Sequence, residues 1–170
     1  MLTLPAAALL VAAAPLTEMP ARFDRARLLE SQIALIQAYQ QTREVTSGVY
    51  HWATHNVTLD RYLAQQMALD ATRNVAAAER AFGALVDRMT AGESQQVMRE
   101  TATARDLLAK ANRVASQLRA EAGRDRPSRT EFRVLSSELY GTIATAVDLQ
   151  HAIGSRLGLP ATEPTGPRAR

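Results

Sequence analysis

Apolar residues recur at spacings of three and four over four long stretches of this chain. In the stretch after Pro20, the periodic positions are Leu28, Leu29, Ile33, Ile36 and Tyr39. Such spacing places the apolar side chains on one stripe of an α-helix. Aromatic residues make up only 5% of the 170 residues, which argues against a β-sandwich or barrel. The pattern therefore predicts an all-α protein.

Short breaks separate the four stretches. The second stretch begins near Thr58, an expected N-cap, and the third ends before Gly123. The fourth begins after Ser128 and stops at Gly158 and Pro160. Helices of roughly 30–35 residues joined by short loops predict an antiparallel up-down-up-down four-helix bundle.

Two pairs of residues have the spacing of a capping box, in which a hydroxyl and a carboxylate each accept a backbone N–H at a helix start. Thr90 and Glu93 are expected to begin the third helix in this way. Ser128 and Glu131 are expected to begin the fourth in the same way.

Residues inside the predicted helices suggest local features. The first helix could continue to about residue 56, but Thr46, Ser47 and Gly48 are poor helix-interior residues, so the alternative is a kink or an early end there. Gly83 and Gly141 are expected to let neighbouring helices approach closely.

The beginning of the chain is apolar and uncharged. Residues 1–14 are interpreted as a signal peptide or apolar leader, and Val11 and Ala13 suit the positions before a cleavage site. No Lys or Arg precedes the apolar run, so the alternatives are a true start further upstream or a cytosolic protein with a frayed N-terminus. The favoured location is periplasmic or otherwise exported, with membrane association only through an uncleaved leader.

The rest of the chain divides into two parts. Residues 15–159 hold the predicted bundle, and residues 160–170 hold three prolines and little apolar content, so we expect a disordered tail.

The net charge of +3 comes from 19 Arg and one Lys against 17 acidic residues. The densest basic stretch, residues 119–133, is interleaved with Glu121, Asp125 and Glu131. Nucleic-acid-binding proteins usually carry a stronger basic face. No nucleic-acid partner is therefore expected.

Catalytic motifs are absent from the sequence. Without cysteine there is no thiol nucleophile, and no Gly-x-Ser-x-Gly elbow or glycine-rich phosphate loop occurs. We expect a protein that is not an enzyme and that has no obligatory cofactor.

His51 and His55 are four residues apart, which puts both imidazoles on one face of a helix, where they could share a zinc or copper ion. The zinc-protease pattern fails because Trp52 stands where a Glu is needed. The alternative is two surface histidines near a helix end.

In the predicted bundle, His151, Met19, Met89 and Met98 fall at the opposite end. Methionine and histidine together could bind Cu(I) or ligate haem. The alternative is ordinary packing, because methionine fills gaps where helices diverge.

Tyr50, Trp52 and Tyr62 are predicted to gather near the end of the first helix, with Phe132 as an optional fourth aromatic residue. They could bind a partner or form an apolar plug. The favoured hypothesis is an exported, non-enzymatic bundle acting by contact with a protein partner or a second copy, as an adaptor, sensor or envelope-assembly subunit. The alternative is a periplasmic metal- or haem-binding bundle.

Overall fold

The computed structural model describes residues 18–55 and 60–161, with side chains from residue 24 onward, and it is all-α over these ranges. The five helices are α1 (Glu18–His55), α2 (Arg61–Asp87), α3 (Ala91–Gln96), α4 (Met98–Ala122) and α5 (Arg129–Arg156). The predicted leader, and all but residues 160–161 of the predicted tail, lie outside the described residues. None of the described helices is long and apolar enough to cross a membrane.

Each long helix packs against two others. α1 contacts α2 and α5, and α4 contacts the same two helices. Near the start of α1, the Arg25 guanidinium donates to the carbonyl oxygens of Leu157 and Gly158 just after α5. Near its end, the Trp52 ring meets Phe132 at the start of α5, edge to face. α1 and α5 therefore run in opposite directions.

The core consists largely of small and aliphatic side chains. On α2 the buried positions begin Ala64, Ala68, Ala71, Val75 and Ala78. Alanine at successive turns lets helix axes approach closely, because no long side chain separates the backbones.

The first helix is longer than its weakest residues suggest. α1 continues past Ser47 and Gly48 to His55, which confirms the longer alternative and rules out the early end. Thr46 is fully buried and its hydroxyl donates to the carbonyl oxygens of Thr42 and Arg43 one turn earlier. Val49 and Ala53 are also fully buried, and this packing outweighs the low helix propensity of the segment.

The predicted third helix is divided in two. The capping box of Thr90 and Glu93 is confirmed, because both reciprocal hydrogen bonds form at the start of α3. The uninterrupted helix expected after it is wrong: Val97, with φ −117° and ψ 19°, separates α3 from α4. Val97 itself is fully buried in the core.

The other helix starts differ from expectation in detail. Asp60 caps α2 by accepting from the Leu63 N–H, whereas Thr58 lies outside the described residues. Ser128 caps α5 by accepting from the Glu131 N–H. The reciprocal bond expected from Glu131 is wrong, because the Ser128 N–H donates to the Glu121 carboxylate at the end of α4.

Candidate functional site

A surface groove runs between the second half of α1 and the first half of α5. Thr46 of α1 and Ser136 of α5 form its floor, and both are fully buried with hydroxyls that donate to their own helix backbones. Because these side chains are small, the two helices can approach closely here, and the larger side chains of both helices form the walls of the groove.

Two arginine–tyrosine pairs cross the groove. Arg43 of α1 donates a 2.8 Å hydrogen bond to the Tyr140 hydroxyl on α5, and its Cζ lies 5.0 Å from the centre of that ring. Arg133 of α5 lies over Tyr50 of α1, with Cζ 5.9 Å from the ring centre. Each guanidinium is thus within cation–π range of a tyrosine on the other helix.

Among the described residues, three of the seven exposed large apolar side chains line this groove. Tyr50 is 41% exposed, Tyr140 38% and Val134 55%. They line two adjoining hollows: one of about 230 Å³ between the two tyrosines, and one of about 500 Å³ beside Tyr50 and Arg133. The other large apolar side chains recorded as exposed lie outside both hollows: Ile33, Tyr62, Leu63 and Met98.

The groove carries uncompensated positive charge. Within the described part of the chain, neither Arg43 nor Arg133 has a carboxylate within ion-pair distance. The Arg43 Nε is also buried without a hydrogen-bond acceptor. Glu138 at the rim is already paired, 3.0 Å from the Lys110 ammonium on α4. A ligand with carboxylates would therefore meet two cations that no neighbouring side chain neutralises.

The predicted partner-binding aromatics fall into three different environments. Tyr50 lines the groove. Trp52 is half-buried, with its ring centroid 6.0 Å from that of the fully buried Phe132, so it belongs to the edge of the core. Tyr62 is 71% exposed at the start of α2 and lines neither hollow.

The sequence patterns did not single out the other residues that form the groove with Tyr50. Tyr140, Arg43 and Arg133 carried no motif, although each helix has an arginine and a tyrosine seven residues apart. This spacing of two helical turns places the arginine and the tyrosine on the same face of their helix, and it was the one sequence pattern that could have indicated the groove.

The predicted metal ligands occupy the surface and one end of the core. His51 and His55 are exposed, with ring centroids 4.3 Å apart. Met89 packs against the core, Met98 is 63% exposed and His151 is exposed. The side chain of Met19 lies outside the described residues. No cluster of three or more His, Cys, Asp or Glu side chains suited to a metal occurs within residues 24–55 and 60–161.

A second group of polar side chains is buried in the core. Gln32, Gln150 and Tyr39 are at most 2% exposed, and each has a polar atom without a hydrogen-bond partner. Burial raises the pKa of the Tyr39 hydroxyl. The Gln32 amide packs against Gly154, where α5 has no side chain to obstruct it.

Comparison with known proteins returned no relative. The chain matches no family model, no curated protein and no solved structure. The geometry of the groove is therefore the basis for assigning a function.

Proposed function

We propose that this protein is an exported, non-enzymatic helical bundle that acts by protein–protein contact, and that the α1–α5 groove is its contact surface. The observation that carries the proposal is that exposed Tyr50, Tyr140 and Val134 share one groove with two arginines that have no ion-pair partner within the described residues. Tyrosine and arginine dominate the residues that supply binding energy at protein interfaces.

The arginines are held in place before any partner arrives. Each guanidinium rests over a tyrosine ring of the other helix, and Arg43 is fixed further by its hydrogen bond to Tyr140. Side chains that are already ordered lose less conformational entropy on binding. This pre-organisation favours a recognition role over a merely solvated face.

We infer that the four long helices alternate in direction as an up-down-up-down bundle. The end of α2 meets the start of α1, where Arg88 donates to the Arg27 carbonyl oxygen. The end of α5 meets the start of α4, where Arg156 pairs with Glu100 at 3.1 Å. The small number of residues between successive long helices fits the same arrangement.

Site-specific photocrosslinking in the native host tests the contact function. A photoreactive amino acid at Val134 is expected to give a discrete protein adduct, and Tyr50→Ala with Tyr140→Ala should reduce that adduct several-fold. The matched control places the same group at Gln117, an exposed position on α4. Equal labelling from both positions, or an adduct unaffected by the tyrosine changes, would remove the groove as the contact surface.

Export depends on residues 1–14 and has a separate test. Intact-mass measurement of the protein purified from its host is expected to show cleavage before Ala14. Retention of the intact apolar segment in the cytosolic fraction would contradict export.

A divalent-cation site at His51 and His55 is a second candidate function, because their exposed rings are 4.3 Å apart. Calorimetric titration with Zn²⁺ should show binding that His55→Ala abolishes and His151→Ala leaves unchanged. Heat that is unaffected by His55→Ala would reject this site.

A further inference from the structure

We propose that the α1–α5 groove takes an amphipathic helix of a partner protein, with two carboxylates about two turns apart and an apolar side chain between them. The proposal rests on the proposed contact function and specifies the chemistry of the partner.

The spacing of the two arginine–tyrosine pairs along the groove sets the spacing of the carboxylates along the docked helix. Positions 43 and 50 on α1, and 133 and 140 on α5, are each seven residues apart, which is about 10.5 Å along a helix. The two arginine–tyrosine pairs therefore form two rungs across the groove, separated by about that distance. Carboxylates at positions i and i+7 of a docked helix have the same separation along the axis and face the same side, with Arg43 reaching them from α1 and Arg133 from α5.

The hollow between the rungs accommodates the apolar side chain. It holds about 230 Å³, with Tyr50 and Tyr140 as walls and the small residues Thr46, Ser47, Ser136 and Ser137 around it. A leucine at i+3 or i+4 of the docked helix lies midway between the two carboxylates. It would enter this hollow as a knob packs into the space between neighbouring helices.

Charge complementarity selects an acidic partner over the other occupants. A carboxylate can accept N–H bonds from a guanidinium, and within the described residues neither Arg43 nor Arg133 has a carboxylate within ion-pair distance. A second copy of this chain docking groove to groove would bring like-charged arginines together. Nucleic acid requires cations along several successive phosphates, whereas this groove offers two and has Glu138 at its rim.

Three labelled peptides of about 18 residues, long enough to form helix in water, test the proposal by fluorescence anisotropy. The first has Glu at i and i+7 with Leu at i+3 and i+4. The second replaces both Glu by Lys. The third moves the second Glu to i+5, which turns it to another face of the helix.

We expect the first peptide to bind at least about tenfold more tightly than the other two. The double variant Arg43→Glu with Arg133→Glu should reverse the preference in favour of the lysine peptide. Arg105→Glu, an exposed charge reversal on α4, is the matched control and should leave the order unchanged. Circular dichroism checks that each variant is folded. If the charge-reversed variant does not fold, the double variant Arg43→Gln with Arg133→Gln removes both charges without reversing them and should abolish the preference for the first peptide.

The outcomes separate this inference from the contact function. Equal binding of all three peptides, weakened by Tyr50→Ala, would retain the contact surface and overturn the acidic helix. Tighter binding of a labelled oligothymidylate would overturn it in favour of nucleic acid. If no peptide binds but the crosslink from Val134 still forms, the acidic helix is rejected and the contact surface is retained. If neither peptide binding nor the crosslink is observed, both proposals are rejected.

Discussion

Glu121 illustrates how a single buried residue joins two helices. Its side chain is 4% exposed, and it accepts from the Arg124 guanidinium at 2.7 Å and from the Ser128 N–H at 2.6 Å. The carboxylate at the end of α4 thus satisfies the backbone at the start of α5. Glu131, the residue with capping-box spacing, does not make that bond.

We predict that Glu121→Ala lowers the free energy of unfolding by about 2–3 kcal/mol, because a charged hydrogen bond is lost and a part-buried N–H loses its acceptor. Glu131→Ala is the matched control and should cost less than about 1 kcal/mol, the value of an acidic side chain in a first helical turn. Urea denaturation measures both. A larger loss from Glu131→Ala than from Glu121→Ala would indicate that Glu131, and not Glu121, accepts the Ser128 N–H, as the sequence predicted.

Tyr39 gives the fold a dependence on alkaline pH. Burial raises the pKa of its hydroxyl above the ordinary value of 10.0, so the folded state keeps the proton after the unfolded chain has released it. The contribution of Tyr39 to the free energy of unfolding therefore has its full value below pH 10. It decreases as the pH rises from 10 towards the pKa of the folded state.

We therefore expect the Tyr39 contribution to the free energy of unfolding to fall by about 1.4 kcal/mol for each pH unit above 10. Tyr39→Phe should flatten this slope, whereas Tyr62→Phe, which changes a side chain that is 71% exposed, should not. Denaturation at several alkaline pH values measures the slopes. Identical slopes for both variants would exclude Tyr39 as the cause.

At the scale of elements, one glycine, Gly154, lies where α5 packs closely against α1. A Cβ built at Gly154 would collide with the Gln32 amide, which is almost completely buried. At Gly83 and Gly141 a Cβ would meet nothing within 4 Å. The expectation that these two glycines permit close helix contact is wrong, because both lie on helix surfaces that face open space.

Alanine at these positions should have opposite effects. Gly154→Ala is predicted to lower the free energy of unfolding by about 1–3 kcal/mol through overpacking. Gly83→Ala and Gly141→Ala should raise it by up to about 1 kcal/mol, since alanine is the better helix former. Thermal and urea unfolding of the three variants distinguish these signs. Stabilisation by Gly154→Ala would mean that Gln32 can move aside.

For the whole molecule, the contacts between α1 and α5 place the C-terminal ends of these two helices far apart. Trp52 meets Phe132, and His151 is 19 residues further along α5, which corresponds to about 28 Å along the axis. His51 and His151 are therefore too distant to share one metal ion within a single chain.

Spin labels can test this arrangement, because the chain has no cysteine of its own. Labels at His51→Cys and His151→Cys are expected about 30 Å apart, given the helical rise of the intervening residues. Labels at His51→Cys and Thr130→Cys should lie within about 20 Å, given the usual separation of packed helices. Similar distances for the two pairs would contradict antiparallel packing of α1 and α5.

Local patterns in the sequence determined where helices form and several of the places where they stop. The spacing of apolar residues and the Thr90–Glu93 box depend on neighbours within one or two turns, so they can be read without a structure. Tyr50 was identified for the same local reason, as an aromatic residue near a helix end.

Only the tertiary structure decided which residues complete the groove. Arg43 and Tyr140 are 97 residues apart, and their contact depends on the register between α1 and α5. That register follows from the packing of complete apolar faces, including small residues such as Thr46, Ser136 and Gly154 that carry no motif. The charge of the groove is also a tertiary property, because Lys110 on α4 neutralises Glu138 while Arg43 and Arg133 keep their charge.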